Sequence, residues 1–350
     1  MKIYFIQGEE MSLEKTVLKT ESIKELLSIH YGISVDTVEK IDLGTANCYR
    51  VGDGRKRYFL KEFQSDLNSE DVVREAEIVN YLANRDIPTA KYIKTADGEL
   101  FTTHNNHMIC IEDYIEGVTY GYNDFPKSLM LEAAGMLGKI HESLSDYKLP
   151  TDMGEEWLNS FSVDNEQKKY AELLEILENN KSDKNYEKIK NDLVYKQQLL
   201  SKGNEFKEYF SGITYTATHG DYQGCQLICE NGHIKAVIDF SSARTLPKVW
   251  EVMRSYVQTS EYCRNKAKID IEEFGEYVRE YMKYSELTKR DLEAMPYVYL
   301  FQLARSKYGY PQYLTTDSED REGLLQFAFW RTDICREVYS KAALMQKIWS

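Results

Sequence analysis

Hydrophobic positions along the chain change their period near Gly117. Before it, short runs alternate apolar and polar residues and are separated by turn signals: KIYFI near the start, then TVEKIDLG, ANCYRVGDG, KRYFLKEF, KYIKTADGELF and HMICIEDYI. That alternation predicts strands, with the DGR and ADGE turns joining them as hairpins. Beyond Gly117 the spacing becomes helical: from Ser128 onward Met130, Ala133, Ala134, Leu137, Ile140 and Leu144 share one face. The stretch 165–210 reads as charged helix, the tail 271–348 continues the same way with many tyrosines, and one β interruption is expected at residues 213–240. The pattern predicts an α+β chain. A small β-rich lobe spans 1–116, a larger mainly helical lobe spans 117–350, and the junction lies in the segment 109–117.

One helix breaks the β pattern of the first lobe. In SEDVVREAEIVNYLANRD, Val72, Ala76, Val79, Leu82 and Ala83 line one face, and Glu75 falls inside it while Arg74 and Glu77 fall opposite. A carboxylate placed there needs a partner or pays desolvation. In the preceding KRYFLKEF, Lys61 alternates onto the side of Phe59 and Phe63 and supplies that partner. On periodicity alone, Lys61–Glu75 reads equally as a site element, a plain buried ion pair, or a lysine that snorkels to water.

A second pair of acids raises the same issue. In His219–Phe240, HGDYQGCQLICENGHIKAVIDF, Asp221 precedes one apolar run and Asp239 ends another. Net charge narrows what they could hold. With 44 Lys plus Arg against 57 Asp plus Glu, the net charge is -13, which disfavours nucleic-acid binding through phosphate neutralisation and favours a cationic or metal-chelated partner. No run approaches the ~18 apolar residues of a membrane helix, and the start of the chain lacks a signal-peptide pattern. Six scattered cysteines fit a reduced, cytoplasmic protein. Cys225 and Cys229 have no second Cys/His pair at zinc spacing.

Taken in order, LGTANCYRV, RYFLKEF, REAEIVNYL, IEDYIEG, LGKIHESL, HGDYQGCQ and VIDF resemble the aminoglycoside phosphotransferase and choline kinase-like family over about residues 40–260. The loop reads HGD where protein kinases have HRD, and IDF stands in place of DFG. The resemblance implies a bilobal protein-kinase-like fold and an ATP- or GTP-dependent, Mg²⁺-dependent O-phosphotransferase acting on a small hydroxylated acceptor. It implies that Asp221 is the catalytic Asp, that Asp239 holds Mg²⁺, and that Lys61, oriented by Glu75, contacts the phosphates. Gly44, Thr45 and Asn47 would form the phosphate-covering turn, although it carries a single Gly. Glu112 and Tyr114 would belong to the interlobe hinge that meets the nucleotide base. Gln226 stands where the family has an Asn that offers its amide oxygen to a second metal. That departure leaves a second reading open, a degenerate kinase-fold binding protein like some spore-coat relatives. A purely structural helical protein would leave Asp221, Asp239, Lys61 and Glu75 unexplained together. His141 and His219 read as structural, a core histidine and a brace of the HGD loop. No nucleic-acid, membrane or obligate protein partner is expected. The acids of DIEEFGEY and TTDSEDREG either extend the charge argument to a cationic or amine-bearing acceptor or are ordinary solubility charge.

Overall fold

The computed structural model describes residues 15–41, 46–149, 161–317 and 320–349. The predicted KIYFI strand and the turn residues Gly44 and Thr45 lie outside them. By compactness the chain divides into two units, one comprising Met1–Thr119 with Gln226–Ala243 and the other Tyr120–Cys225 with Arg244–Ser350. The hairpin in 226–243 therefore packs with the first unit, where a single boundary at 116/117 puts it with the second.

The first unit is built on an antiparallel sheet. Strands β1 (Thr37–Ile41), β2 (Asn47–Gly52), β3 (Arg57–Glu62), β4 (Tyr92–Ile93), β5 (Thr102–His104) and β6 (His107–Asp113) lie in the order β1-β2-β3-β6-β4, with β5 also on β6. The DGR turn joins β2 to β3 as expected, in a register that sets Lys61 opposite Cys48. ADGE does not make a hairpin. β4 and β5 both pair with β6 and not with each other, because the buried run HMICIED offers the longer ladder. Helix α1 (Thr20–Tyr31), unforeseen in the β-rich reading, packs Ile23, Leu26, Leu27 and Tyr31 on Tyr49, Val51, Leu60 and Ile111. Its signals were present: apolar residues at helical spacing and Gly32 as a left-handed C-cap.

Helix α2 (Ser69–Ala83) forms where predicted, with the Asn68 side chain accepting from Glu70 N–H at its start. The later hairpin, β8 (Leu227–Glu230) with β9 (His233–Val237), turns through Asn231 and Gly232, both at positive φ. It is tied to this unit by the Thr89–Val237 and Val118–Cys229 bridges.

The second unit is mainly helical: α3 (Met130–Ser143), α4 (Val163–Glu178), α5 (Tyr186–Leu200), α6 (Gly203–Lys207), α7 (Lys248–Thr259), α8 (Glu261–Lys266), α9 (Ile271–Met282), α10 (Lys289–Arg305), α11 (Tyr310–Thr315) and α12 (Arg321–Lys347). Strand β7 (Tyr215–Thr218) falls in the expected β interruption, but its partner β10 (Arg244–Pro247) lies just beyond it. Gly138 lets α3 approach α9 closely, since a Cβ there would sit 2.6 Å from Tyr281 O. α7 is buried along its whole length, which places it at the centre of this unit.

Candidate active site

In the first unit the alternation of β3 and the face of α2 meet as periodicity predicts. Lys61 Nζ donates to Glu75 Oε1 at 3.1 Å, and both side chains are largely buried. A second carboxylate joins them. Glu112 Oε1 lies 2.6 Å from the same ammonium without the alignment of a hydrogen bond, and the Tyr92 hydroxyl accepts from Lys61 at 3.4 Å. Burial works against the lysine's charge, but Glu112 and Glu75 outweigh it and hold its pKa well above the ordinary value. Glu75 is pushed up to about 6 by burial, with Lys61 opposing and Asp239 and Glu112 adding to the rise.

Glu112 is thus engaged with Lys61. It sits inside β6, facing Phe59 of β3 on one side and Tyr92 of β4 on the other. Tyr114, just past β6, accepts from Arg50 Nη1 at 3.4 Å, and Asn47 is buried at the start of β2.

Asp239 follows β9 with φ 67° and ψ 66°, left-handed backbone that Asp tolerates better than most side chains. Phe240, fully buried, anchors the short turn after it. The Asp239 carboxylate is exposed and accepts from Ser241 Oγ at 2.7 Å and Gln226 Nε2 at 3.1 Å. Asp239 thus presents an exposed carboxylate, a hard oxygen donor of the kind Mg²⁺ prefers, with the Gln226 amide turned to it through its NH₂.

In the second unit, β7 runs directly into His219-Gly220-Asp221. Asp221 is buried, its Oδ1 held by Arg254 Nη2 and its Oδ2 accepting from Gln223 Nε2 at 2.9 Å. Arg254 also donates to Tyr222 O at 3.2 Å, so one guanidinium grips both side chain and backbone of the loop. Beneath it, Glu251 of α7 accepts from His219 N at 3.0 Å, Gly220 N at 2.6 Å and His141 Nε2 at 2.9 Å. His141 Nδ1 meets the Tyr281 hydroxyl at 2.8 Å. Burial lowers the His141 pKa despite Glu251, so the neutral ring donates from Nε2 and accepts at Nδ1. Burial, the largest influence, would raise Glu251, but the hydrogen bond and charge of His141 together with those of His219 outweigh it and lower its pKa. Both histidines are structural braces, and Glu251 and Arg254 are the residues that sequence reasoning missed. Their advance signal in the sequence was charged residues three apart, Lys248, Glu251 and Arg254, along an otherwise largely apolar segment.

The phosphotransferase enzyme family model matches residues 37–295. A homoserine kinase of Zymomonas mobilis subsp. mobilis is 24% identical over 226 residues, which are 63% of this chain and 64% of that protein. The match thus spans less than two thirds of the relative's length. A spectinomycin phosphotransferase in complex with ADP and spectinomycin superposes with a TM-score of 0.64 at 16% identity, covering 93% of this chain and 99% of that one. An amicoumacin kinase in complex with AMP-PNP and Ca²⁺ gives 0.61 at 14% identity, covering 91% and 94%. Its β-rich unit, its mainly helical unit and the match over 37–295 place the chain in the phosphotransferase enzyme family, with a protein-kinase-like fold.

Proposed function

We propose that the chain is a nucleoside-triphosphate-dependent, Mg²⁺-dependent O-phosphotransferase acting on a small hydroxylated acceptor. The observation that carries this reading is the Lys61–Glu75 ion pair, buried in the same unit as an Asp239 whose charge reaches both of its members. Lys61 contacts the phosphates of ATP or GTP, and Glu75 keeps the ammonium extended toward them. Asp239 and Gln226 hold the Mg²⁺, which when bound neutralises charge on the phosphates. The Gly44–Asn47 turn covers the phosphates, with Tyr114 beside the base.

Asp221 orients the acceptor hydroxyl. The hydroxyl oxygen forms a bond to the terminal phosphorus as the bond to the bridging oxygen breaks, the nucleoside diphosphate leaves, and the hydroxyl proton passes to Asp221. Arg254 already binds that carboxylate. The arrangement suits a transition state in which little proton transfer precedes bond breaking. All six cysteines are free thiols, in keeping with a cytoplasmic enzyme, and no described helix is long and apolar enough to cross a membrane.

A second reading, a kinase-fold binder without turnover, is favoured by the extra carboxylate on Lys61 and by Gln226 at the family's Asn position. Thermal shift with nucleotide, with and without Mg²⁺, together with nucleotide consumption over a panel of hydroxylated acceptors, tests both. Only a ligand of the folded state stabilises. Mg²⁺-dependent stabilisation with turnover upholds the phosphotransferase, stabilisation without any turnover upholds the binder, and no nucleotide effect sinks both.

A further inference from the structure

Net charge predicts a cationic acceptor, but the second unit places buried positive charge beside the catalytic loop. Two of the acids invoked for that prediction are engaged elsewhere: Asp270 caps α9 by accepting from Glu272 N and Glu273 N, and Glu273 accepts from Ser260. Around Arg254 the balance reverses. Arg254, Arg264 and Arg331 are each at most 5% exposed. Arg264 donates to the backbone oxygens of Tyr122 and Phe125 at 3.0 and 2.5 Å, and one bond of Arg331 goes to the neutral Gln302 amide. The carboxylates whose fields reach Arg264, Glu261 and Asp124, act from exposed positions.

Tyr122 stands among these three guanidiniums, each of which acts on its hydroxyl. Its ring is fixed edge-on against Phe327 and Trp330, with centroids 5.8 and 5.5 Å away. Yet its Oη is buried with no hydrogen-bond partner among the described residues. Buried polar atoms are nearly always paired, and here several are left over together. Trp250, Arg254 and Gln258 recur every fourth residue on one side of α7. The Trp250 Nε1 donor and Gln258 Oε1 acceptor, on side chains 7% and 4% exposed, also lack partners among the described residues. Gln223, 2% exposed, is the most telling of the group. Its Nε2 must face the acceptor-only Asp221 carboxylate, which fixes the amide and leaves Oε1 as the unpaired end.

Resting on the phosphotransferase reading of Asp221, we infer that the acceptor carries a carboxylate in addition to its hydroxyl. The Tyr122 hydroxyl and the guanidinium field of Arg264 and Arg331 receive the carboxylate, and the Gln223 oxygen accepts a hydrogen bond from the acceptor's hydroxyl or amine. A hydroxy amino acid has this chemistry, and a simple amino alcohol lacks half of it.

Titration calorimetry of the full chain with matched probes tests the inference without requiring turnover: homoserine against aminopropanol, and serine against ethanolamine, each pair differing by the carboxylate. At least one carboxylated probe is expected to bind about tenfold tighter than its partner, the scale of a charge-assisted hydrogen bond. Tyr122→Phe, which deletes only an unpaired hydroxyl, is expected to cut that preference several-fold, and Arg331→Lys to cut it while keeping the charge. Equal or tighter binding of the carboxylate-free partners overturns the inference. So does absence of binding by either carboxylated probe, as when ordered water fills the site, or a preference that Tyr122→Phe leaves intact. Nucleotide affinity and turnover, measured in parallel, separate the two claims. A carboxylate preference without Mg²⁺-dependent nucleotide binding upholds the recognition chemistry and fails the phosphotransferase reading. Turnover confined to the amino alcohols does the reverse.

Discussion

In the first unit one ammonium, Lys61, is drawn on by three carboxylates, Glu75, Glu112 and Asp239. In the second, three guanidiniums share the surroundings of Tyr122, and one of them holds the buried carboxylate of Asp221. The first arrangement is short of positive charge, which suits the metal-chelated nucleotide proposed for it. The second is short of negative charge and fully braced, with Arg254 and Glu251 fixing the loop from one helix. A catalytic carboxylate that must orient a hydroxyl gains from such rigidity. In the metal-holding role proposed for it, Asp239 has exposure and the neutral partners Gln226 and Ser241.

Replacing Asp221 by Ala tests the division most severely. Turnover should fall about a thousandfold, the range of a positioned acid or base, while Mg²⁺-nucleotide affinity stays near the parent value in calorimetry. A matching loss of nucleotide affinity would merge the two roles. Arg254→Met should then leave a buried carboxylate uncompensated and lower stability by about 3 kcal/mol, read from the urea midpoint. A stability unchanged within error would mean that Gln223 alone supports Asp221.

Asp239→Ala belongs to the other unit and should behave differently. Both Mg²⁺-nucleotide affinity and turnover should drop about tenfold, on the scale of one charged contact, and added Mg²⁺ should partly restore them. Glu112→Gln sharpens the same comparison in the opposite direction. Removing one of the charges on Lys61 should tighten nucleotide binding about threefold, a modest Coulomb gain in a partly screened site. Weaker binding would instead assign Glu112 to positioning the ammonium.

Acid should act on the two units with opposite sign. Glu75, raised to about 6 from 4.5, binds a proton more readily folded than unfolded, so its contribution favours the folded state as pH falls from about 6 toward 4.5. His141, lowered from 6.5, must take up a proton on unfolding, so its contribution is present above 6.5 and lost as pH falls below it. Hydrogen exchange between pH 7 and 5 should therefore show protection around Glu251 and His219 fading while that of α2 holds or rises. Parallel fading in both would remove the contrast.

Much of this was legible in the chain itself. The periods of α2 and β3 put Glu75 and Lys61 on facing sides, the Asn-Gly turn made the β8–β9 hairpin, and the order of segments carried the family. The sequence determined these because period and turn chemistry are local: they say which face a residue occupies. They do not say which residue meets it. Glu112 reached Lys61 only because β6 inserts between β3 and β4, a pairing that the ADGE turn did not foretell. Arg254 reached Asp221, and Glu251 reached His141, across 33 and 110 residues of chain. A buried polar side chain on a helix buried all round is an unsolved equation until its partner is in place, and that partner was supplied by the packing of α7 against α3 and the HGD loop. Charge followed the same rule: the total of -13 belongs to the chain, but only the fold decided that three guanidiniums would gather in the buried neighbourhood of Asp221 and Tyr122, since burial weights near charges over far ones.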